Sequence, residues 1–380
     1  FFIYAFWYQY AYTPIGMALP LLGGMILFLS LCNVKLNLGY YNFLFPVFAF
    51  VAYIAIFGLI VSRSVGTSKT YVLNICEYLI PMIGVYTYID SDYKKLIGVL
   101  KMLVISVTMI AFSSLINGHS TNTGAIIVGT LNANVESSLL ALGTISAIII
   151  LSSSQTRFFE KIILAGAILL FTKVQIDCAS RRGFALLLFL ILAGLLVVIR
   201  TKYKDNKYIK WLILLTVVCA FFVIVTTLSE TLEGSVLFER FSSKTKEGDR
   251  LRKVYQAKAL SLFFQSPLLG TGLGYVAIYA GMYSHSMYHE LLACTGIVGT
   301  GILVGNLIID MFRLLLDSFK IDDVHSDLKI CARCMMLFTG AILLGGFAVV
   351  YIYDMYFYVI LGLIAASCKV IRCKLYIEGE

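Results

Sequence analysis

Charge is scarce in this chain. Only 13% of its 380 residues are Asp, Glu, Lys or Arg, against about a quarter in an ordinary soluble domain. With 60% of the residues hydrophobic, that shortage excludes a compact water-soluble fold, because the apolar excess must face lipid. Nine cysteines are present, yet they lie mainly in or beside apolar runs and form no framework in a polar loop. A disulfide scaffold is therefore not expected. Cys331 and Cys334 make a lone C-x-x-C without a second pair, too little for a metal or redox site. No strand pattern precedes Gly270, Gly272 and Gly274, so this G-x-G-x-G run is not a dinucleotide fingerprint. It reads as a flexible turn that lets the backbone pass close to something. No internal two-fold repeat is visible, whereas a secondary transporter should show one. No cleavable signal peptide is recognisable, and the first residue is Phe, so the N-terminus reads as clipped.

What the chain does have is a series of long apolar runs, with a mean hydropathy of +0.90. Lipid offers no hydrogen bonds to the backbone, so spanning segments must be helices or a closed barrel. The runs are roughly 18–22 residues long and do not alternate, which fits helices. Helices are predicted at 14–32, 43–61, 71–89, 96–116, 135–153, 162–178, 183–199, 211–228, 290–312, 331–350 and 355–370. The opening FFIYAFWYQYAY reads as the end of one more, broken from the next at Pro14 and Gly16. The expected fold is all-α, a polytopic membrane helical bundle of about 11–12 transmembrane helices. Residues 1–380 form a single transmembrane domain, with 229–289 a large extracytoplasmic loop inserted between the helices.

The net charge of +9 is not a nucleic-acid footprint, because the cations sit mostly in short loops. They orient the protein instead. Arg200, Lys202, Lys204, Lys207 and Lys210 share one connection; Arg313, Lys320, Lys329 and Arg333 share another; Lys369, Arg372 and Lys374 lie in the tail. These alternate with 117–134, which lacks Lys and Arg, and with the short turn 351–354. The basic loops and the C-terminus are thus expected in the cytoplasm. Arg63 and Lys69 break the rule mildly. Arginines of the turn Ser180-Arg181-Arg182-Gly183 and of the segment 229–289 also fall on the outer side. Cations on the disfavoured side point to an anionic ligand there.

Two stretches carry candidate chemistry. Lys173, Asp177 and Arg181 are spaced by four and are predicted to share one helical face. An ion pair that solubilises a helix end accounts for Lys173 and Asp177. It accounts less well for Arg181 and Arg182, whose guanidiniums one carboxylate cannot both satisfy. Further on, Arg240, Gly248-Asp249-Arg250-Leu251-Arg252 and an apolar-basic run reach Phe264. Leu251, Val254, Tyr255 and Leu262 are predicted on lipid with Arg250 and Lys253 wet, as in an interfacial helix ended by Pro267. Then Ser284-His285-Ser286-Met287-Tyr288-His289-Glu290 enters a span at the outer surface. A histidine there can take a proton near neutral pH, although an interfacial histidine without a role has the same pattern. His285 and His289 have i,i+4 metal-ligand spacing, but Glu290 points away from that face and completes no site. A base and an anion clamp at that depth suit transfer from a lipid diphosphate to a sugar hydroxyl.

Four motifs resemble the O-antigen polymerase/O-antigen ligase superfamily over roughly residues 120–310. They are Asn132-Ala133-Asn134, with Ala133 where the family has Pro; Ser180-Arg181-Arg182-Gly183; Gly248-Asp249-Arg250 with Ser266-Pro267-Leu268-Leu269-Gly270-Thr271-Gly272; and His285-Ser286-Met287-Tyr288-His289-Glu290-Leu291-Leu292 with Gly296-Ile297-Val298-Gly299. The resemblance implies a bundle similar to the GT-C glycosyltransferases and a metal-independent reaction without cofactor. It implies an undecaprenyl-diphosphate-linked glycan donor, a glycan acceptor, a chain-length regulator protein as a further partner, and no nucleic acid. It implies a multi-pass protein of the bacterial cytoplasmic membrane, with its active site on the extracytoplasmic face. By the same resemblance His285 matches the catalytic histidine, Arg181 and Arg250 the diphosphate-contacting arginines, and Arg240 a less regular upstream arginine. Arg182, Arg252 and Glu290 are further candidates for substrate binding. His289 and the second cation Arg182 depart from the family pattern and leave the substrate preference open.

The leading expectation is a polymerase of lipid-linked repeat units of a surface polysaccharide. A ligase that moves finished polymer to another acceptor has the same motifs. The rival from another class is a transporter or flippase, for which Glu77 near Asn74 is the marker, against a helix–helix hydrogen bond as its ordinary explanation.

Overall fold

The computed structural model describes residues 41–120, 126–127, 132–203 and 246–377. Among these, helices dominate: α1 (Phe45–Ile60), α2 (Val65–Ile89), α3 (Tyr93–Asn117), α4 (Ala133–Ser152), α5 (Phe158–Asp177), α6 (Arg181–Lys202), α7 (Lys246–Gln265), α8 (Tyr275–Ala280), α9 (Met287–Lys320), α10 (Ser326–Gly345) and α11 (Met355–Ile377). A two-residue antiparallel pairing, His119–Ser120 with Ile126–Ile127, is the one extended element among the described residues. Seven of the described helices (α2, α3, α4, α6, α9, α10 and α11) are long and apolar enough to cross a membrane. The predicted helices 14–32 and 211–228 lie outside the described residues, as does Arg240.

The bundle is organised around two helices enclosed by the others. α4 and α11 are buried along almost their whole length. α4 packs against α3, α5, α6 and α10, and α11 against α2, α9 and α10. Small residues set the closest crossings, as expected where lipid supplies no hydrophobic drive between helices. A Cβ on Gly183 of α6 would collide with Ser137 of α4, and one on Gly194 would reach Ile145 and Ile148. Outward faces carry large apolar side chains such as Phe158, Phe159 and Ile163 of α5.

Ion pairs tie one end of the bundle together. The Asp327 carboxylate accepts from the Ser154 N–H at 2.6 Å and pairs with Lys202 at 3.1 Å, joining the ends of α4 and α6 to the start of α10. Lys369–Asp90 at 2.6 Å and Arg372–Asp317 at 3.6 Å close the same end across α2, α9 and α11. The opposite end gathers the start of α4, the α5–α6 turn, the start of α9 and the α10–α11 turn.

α9 is not continuous. Gly296 adopts φ 65° and ψ −169°, which divides it after its first turns. The groups freed by the break are taken up by the segment after α7. Thr271 and Gly272 donate their N–H groups to the carbonyls of Ala293 and Cys294 at 2.9 and 3.0 Å, and Ile297 donates to Pro267 O at 2.9 Å. Such non-helical backbone is tolerated at depth only where protein satisfies it. The glycine run is therefore pinned, not flexible as the sequence pattern implied. A Cβ on Gly270 would collide with the Cys294 carbonyl, one on Gly272 with Ser62, and one on Gly274 with Tyr71. Its use is close approach at positive φ.

Candidate active site

The Asn132 and Ser180 motifs meet at this second end of the bundle. Asn132 caps α4, its side chain accepting from the Asn134 N–H at 2.9 Å. Ser180 caps α6 by accepting from the Gly183 N–H at 3.3 Å, and its hydroxyl donates to Asn134 Oδ1 at 3.0 Å. Two helix starts are thereby locked together. Arg181 is half-buried at the first position of α6; Arg182 is exposed and donates to the Phe347 carbonyl at 3.2 Å. Lys173 pairs with Asp177 at 2.7 Å, as the spacing predicted. Arg181, however, does not continue that face, because α5 stops at Asp177 and Arg181 begins a new helix.

His285 sits on the corner before α9, with φ 59°. A positive φ is uncommon for a non-glycine residue and, when held by its surroundings, clusters at functional sites. The corner is held from behind. Glu290 is fully buried; its carboxylate accepts from the Ser284 N–H at 2.9 Å and from the Tyr353 hydroxyl at 3.0 Å. The Ser284 hydroxyl donates to Ser286 O at 2.9 Å. Glu290 thus faces the loop and supports it from within the protein. His289 lies in α9, its Nδ1 3.0 Å from Ser286 Oγ, and His285 precedes the helix. The i,i+4 face that would join them does not exist.

The His285 ring lies between Tyr283, at 4.4 Å between centroids, and Tyr255 of α7, at 6.1 Å. Burial, followed by the Arg252 guanidinium, lowers its pKa from 6.5 to about 4. The imidazole is therefore neutral at physiological pH. Burial also raises the Tyr283 pKa, and Asn132 Nδ2 donates to its hydroxyl oxygen at 3.4 Å. Along α7, half-buried Arg252 and Tyr255 and buried Ala259 and Leu262 form the inward face. Arg250 is exposed and has no hydrogen bond or ion pair among the described residues. Two residues along a helix is a rotation of about 200°, so Arg250 and Arg252 cannot share a face. The predicted lipid face of this helix is corrected accordingly: Leu251 and Val254 are exposed with Lys253, but Leu262 is buried and Tyr255 turns toward His285.

Two adjoining cavities open here. One, of about 340 Å³, is lined by Ser180 and Arg182 and by apolar Ala185, Leu186, Phe189 and Leu344. The other, of about 280 Å³, is lined by His285, Tyr283, Tyr71, Asn132, Tyr353 and Asp354. Asn134, Ala348 and Val349 belong to both. Asp354 was not singled out in the sequence. Its signal was an acid in the short turn 351–354.

The fold has a solved counterpart. The chain is similar to a chain in a structure described as "Structural coordination of polymerization and crosslinking by a peptidoglycan synthase complex", with a TM-score of 0.52 and 15% identity, covering 88% of this chain and 98% of that one. No family model matches the sequence. No curated protein matches it either. At that identity the likeness to the peptidoglycan synthase complex chain is one of fold. Among the described residues no cluster of three His, Cys, Asp or Glu could hold a metal ion, and the seven described cysteines are free thiols.

Proposed function

We propose that this protein is a membrane glycosyltransferase that polymerises undecaprenyl-diphosphate-linked oligosaccharide repeat units of a surface polysaccharide. The carrying observation is the neutral, half-buried His285 held at a rigid corner beside Arg252, at a cavity that adjoins a second cavity bearing Arg182. The motif resemblance and a fold likeness to a chain of a peptidoglycan synthase complex support the same reading.

In the reaction, the acceptor hydroxyl oxygen attacks the anomeric carbon of the donor sugar. The carbon–oxygen bond to the diphosphate breaks, and the lipid diphosphate leaves with that electron pair. His285 takes the hydroxyl proton, help of a kind worth about 10²–10⁴-fold. Arg181, Arg182 and Arg252 neutralise the leaving diphosphate, and Arg250, on the outward face of α7, meets it on entry. Glu290 positions the His285 corner. In an empty site burial, and after it the Arg252 charge, keep the imidazole a poor base; a bound diphosphate offsets the Arg252 charge and raises its proton affinity. The positive-inside pattern supports an orientation with this end of the bundle on the extracytoplasmic face of a bacterial cytoplasmic membrane.

The decisive experiment is extension of a defined lipid-diphosphate repeat unit by the purified protein, first with chelator and then with added divalent metal. Polymer under both conditions is expected. Failure to extend, while the same protein moves lipid-linked sugar across proteoliposomes, would sink the reading in favour of transport.

A further inference from the structure

The two cavities differ in chemistry as well as position. The Arg182 cavity is cationic at its rim and apolar along Leu186, Phe189 and Leu344, which suits a lipid phosphate. The His285 cavity offers the reverse: a carboxylate from Asp354, an amide from Asn132 and aromatic rings. The carboxylate and the amide both take hydrogen bonds from hydroxyl groups. What the carboxylate favours is a neutral donor of hydrogen bonds.

We infer that the His285–Asp354 cavity is a subsite for one neutral sugar ring of the acceptor, with the Asp354 carboxylate receiving hydrogen bonds from its hydroxyls; this rests on the transferase reading above. Size agrees. At about 280 Å³ the cavity is just below the range that holds drug-sized ligands, and it suits a ring of about a dozen non-hydrogen atoms. The walls agree as well. Tyr71 and Tyr353 meet at 4.4 Å with their planes 37° apart, forming an aromatic corner. The Tyr353 hydroxyl is committed, donating to Glu290 and accepting from the Gly274 N–H at 3.1 Å. That leaves the Tyr353 ring as the part of the side chain open to a ligand. Aromatic faces pack against the C–H face of a sugar while polar groups at the rim take its edge. His285 lines the same space, so a hydroxyl of the seated ring is within the cavity that holds the proposed base. Asp354 is then a specificity-determining residue. A site built to bind a hydroxyl discriminates steeply against a sugar that lacks it.

The test is saturation-transfer NMR on the full-length protein in nanodiscs with a panel of methyl glycosides: hexoses, N-acetylhexosamines, 6-deoxyhexoses and a hexuronate. At least one neutral glycoside should bind, and Asp354→Ala should weaken it at least about tenfold. The hexuronate should bind more weakly than its neutral parent. Farnesyl diphosphate, a probe for the other cavity, should not displace the glycoside. Absence of binding by every neutral glycoside overturns the inference, as does displacement by farnesyl diphosphate or indifference to Asp354→Ala. If Asp354→Ala does not fold, Asn132→Ala and the displacement experiment carry the test in the same sense. Extension of lipid-linked repeat units by protein whose glycoside binding ignores Asp354 sinks this subsite alone. Glycoside binding without any extension sinks the transferase reading and leaves a sugar site.

Discussion

The Tyr353 hydroxyl donates to Glu290 Oε1 over 3.0 Å, joining the turn after α10 to the first turn of α9. The other Glu290 oxygen accepts from the Ser284 N–H, so one carboxylate fixes both walls of the His285 cavity. Glu290→Ala strands two buried donors at about 1–3 kcal/mol each, whereas Tyr353→Phe removes one bond and keeps the ring. Thermal unfolding in detergent should rank wild type above Tyr353→Phe above Glu290→Ala. The double variant should fall short of the summed losses, because the two residues share a bond. Strict additivity would mean that the contact carries no energy.

The break in α9 makes a second prediction about stability. Gly296 has φ +65°, and a Cβ there would strike the Leu268 carbonyl; Gly270 has φ +77° and faces the Cys294 carbonyl in the same way. Alanine at either position is both strained and blocked, and each should cost at least about 1–3 kcal/mol. Gly301, a few residues along α9, has nothing within 4 Å. Gly301→Ala should be neutral or stabilising by about 0.5–1 kcal/mol. Yield of monodisperse protein and its melting temperature check the contrast. Equal behaviour of Gly296→Ala and Gly301→Ala would show that the docked loop is dispensable.

Much of the bundle was legible from hydropathy alone. Each predicted helix among the described residues overlaps an observed one, because the length of an apolar run is set by the bilayer. The stretches Asn132-Ala133-Asn134 and Ser180-Arg181-Arg182-Gly183 were also readable as motifs, and they prove to touch through Asn134 and Ser180. Less was legible where rotation or long-range docking decides. Arg250 and Arg252 look equivalent in sequence, and only the packing of Ala259 and Leu262 tells which guanidinium turns inward. Asp354 reads as an ordinary turn acid until Asn132 and Tyr283 close around the same cavity. The kink at Gly296 is invisible to hydropathy, since both halves of α9 are apolar.

His285 gives the pH dependence. Its folded pKa is lowered to about 4, from 6.5. Above about pH 6.5 it is neutral whether folded or unfolded and contributes no pH dependence. As pH falls from 6.5 toward 4, the unfolded chain binds the proton first, and this residue's contribution to stability declines. The free enzyme's acid limb in kcat/KM should fall near 4. In kcat, which reports the loaded site, it should lie higher, because bound diphosphate opposes Arg252. Arg252→Gln removes a like charge from the imidazole, so it should move the kcat/KM limb toward higher pH. A limb that does not move would separate Arg252 from His285.

The two neighbouring arginines of α7 allow the sharpest comparison. Arg252 is half-buried and acts on His285, whereas Arg250 is exposed on the opposite face. A cation that meets charge developing on the leaving diphosphate acts in a shielded site, where loss of one such donor costs about 10²–10³-fold in kcat. A cation at the surface works through solvent and salt, and its contribution is that of encounter. Arg252→Ala should therefore depress kcat at least about tenfold more than Arg250→Ala. The Arg250→Ala defect should appear mainly in kcat/KM and shrink as salt is raised. Single-turnover extension of a lipid-diphosphate repeat unit at low and high ionic strength separates the two. A larger, salt-independent loss in Arg250→Ala would reverse the assignment: the exposed arginine would be the clamp, and α7 would have to turn by about half a revolution to bring it to His285.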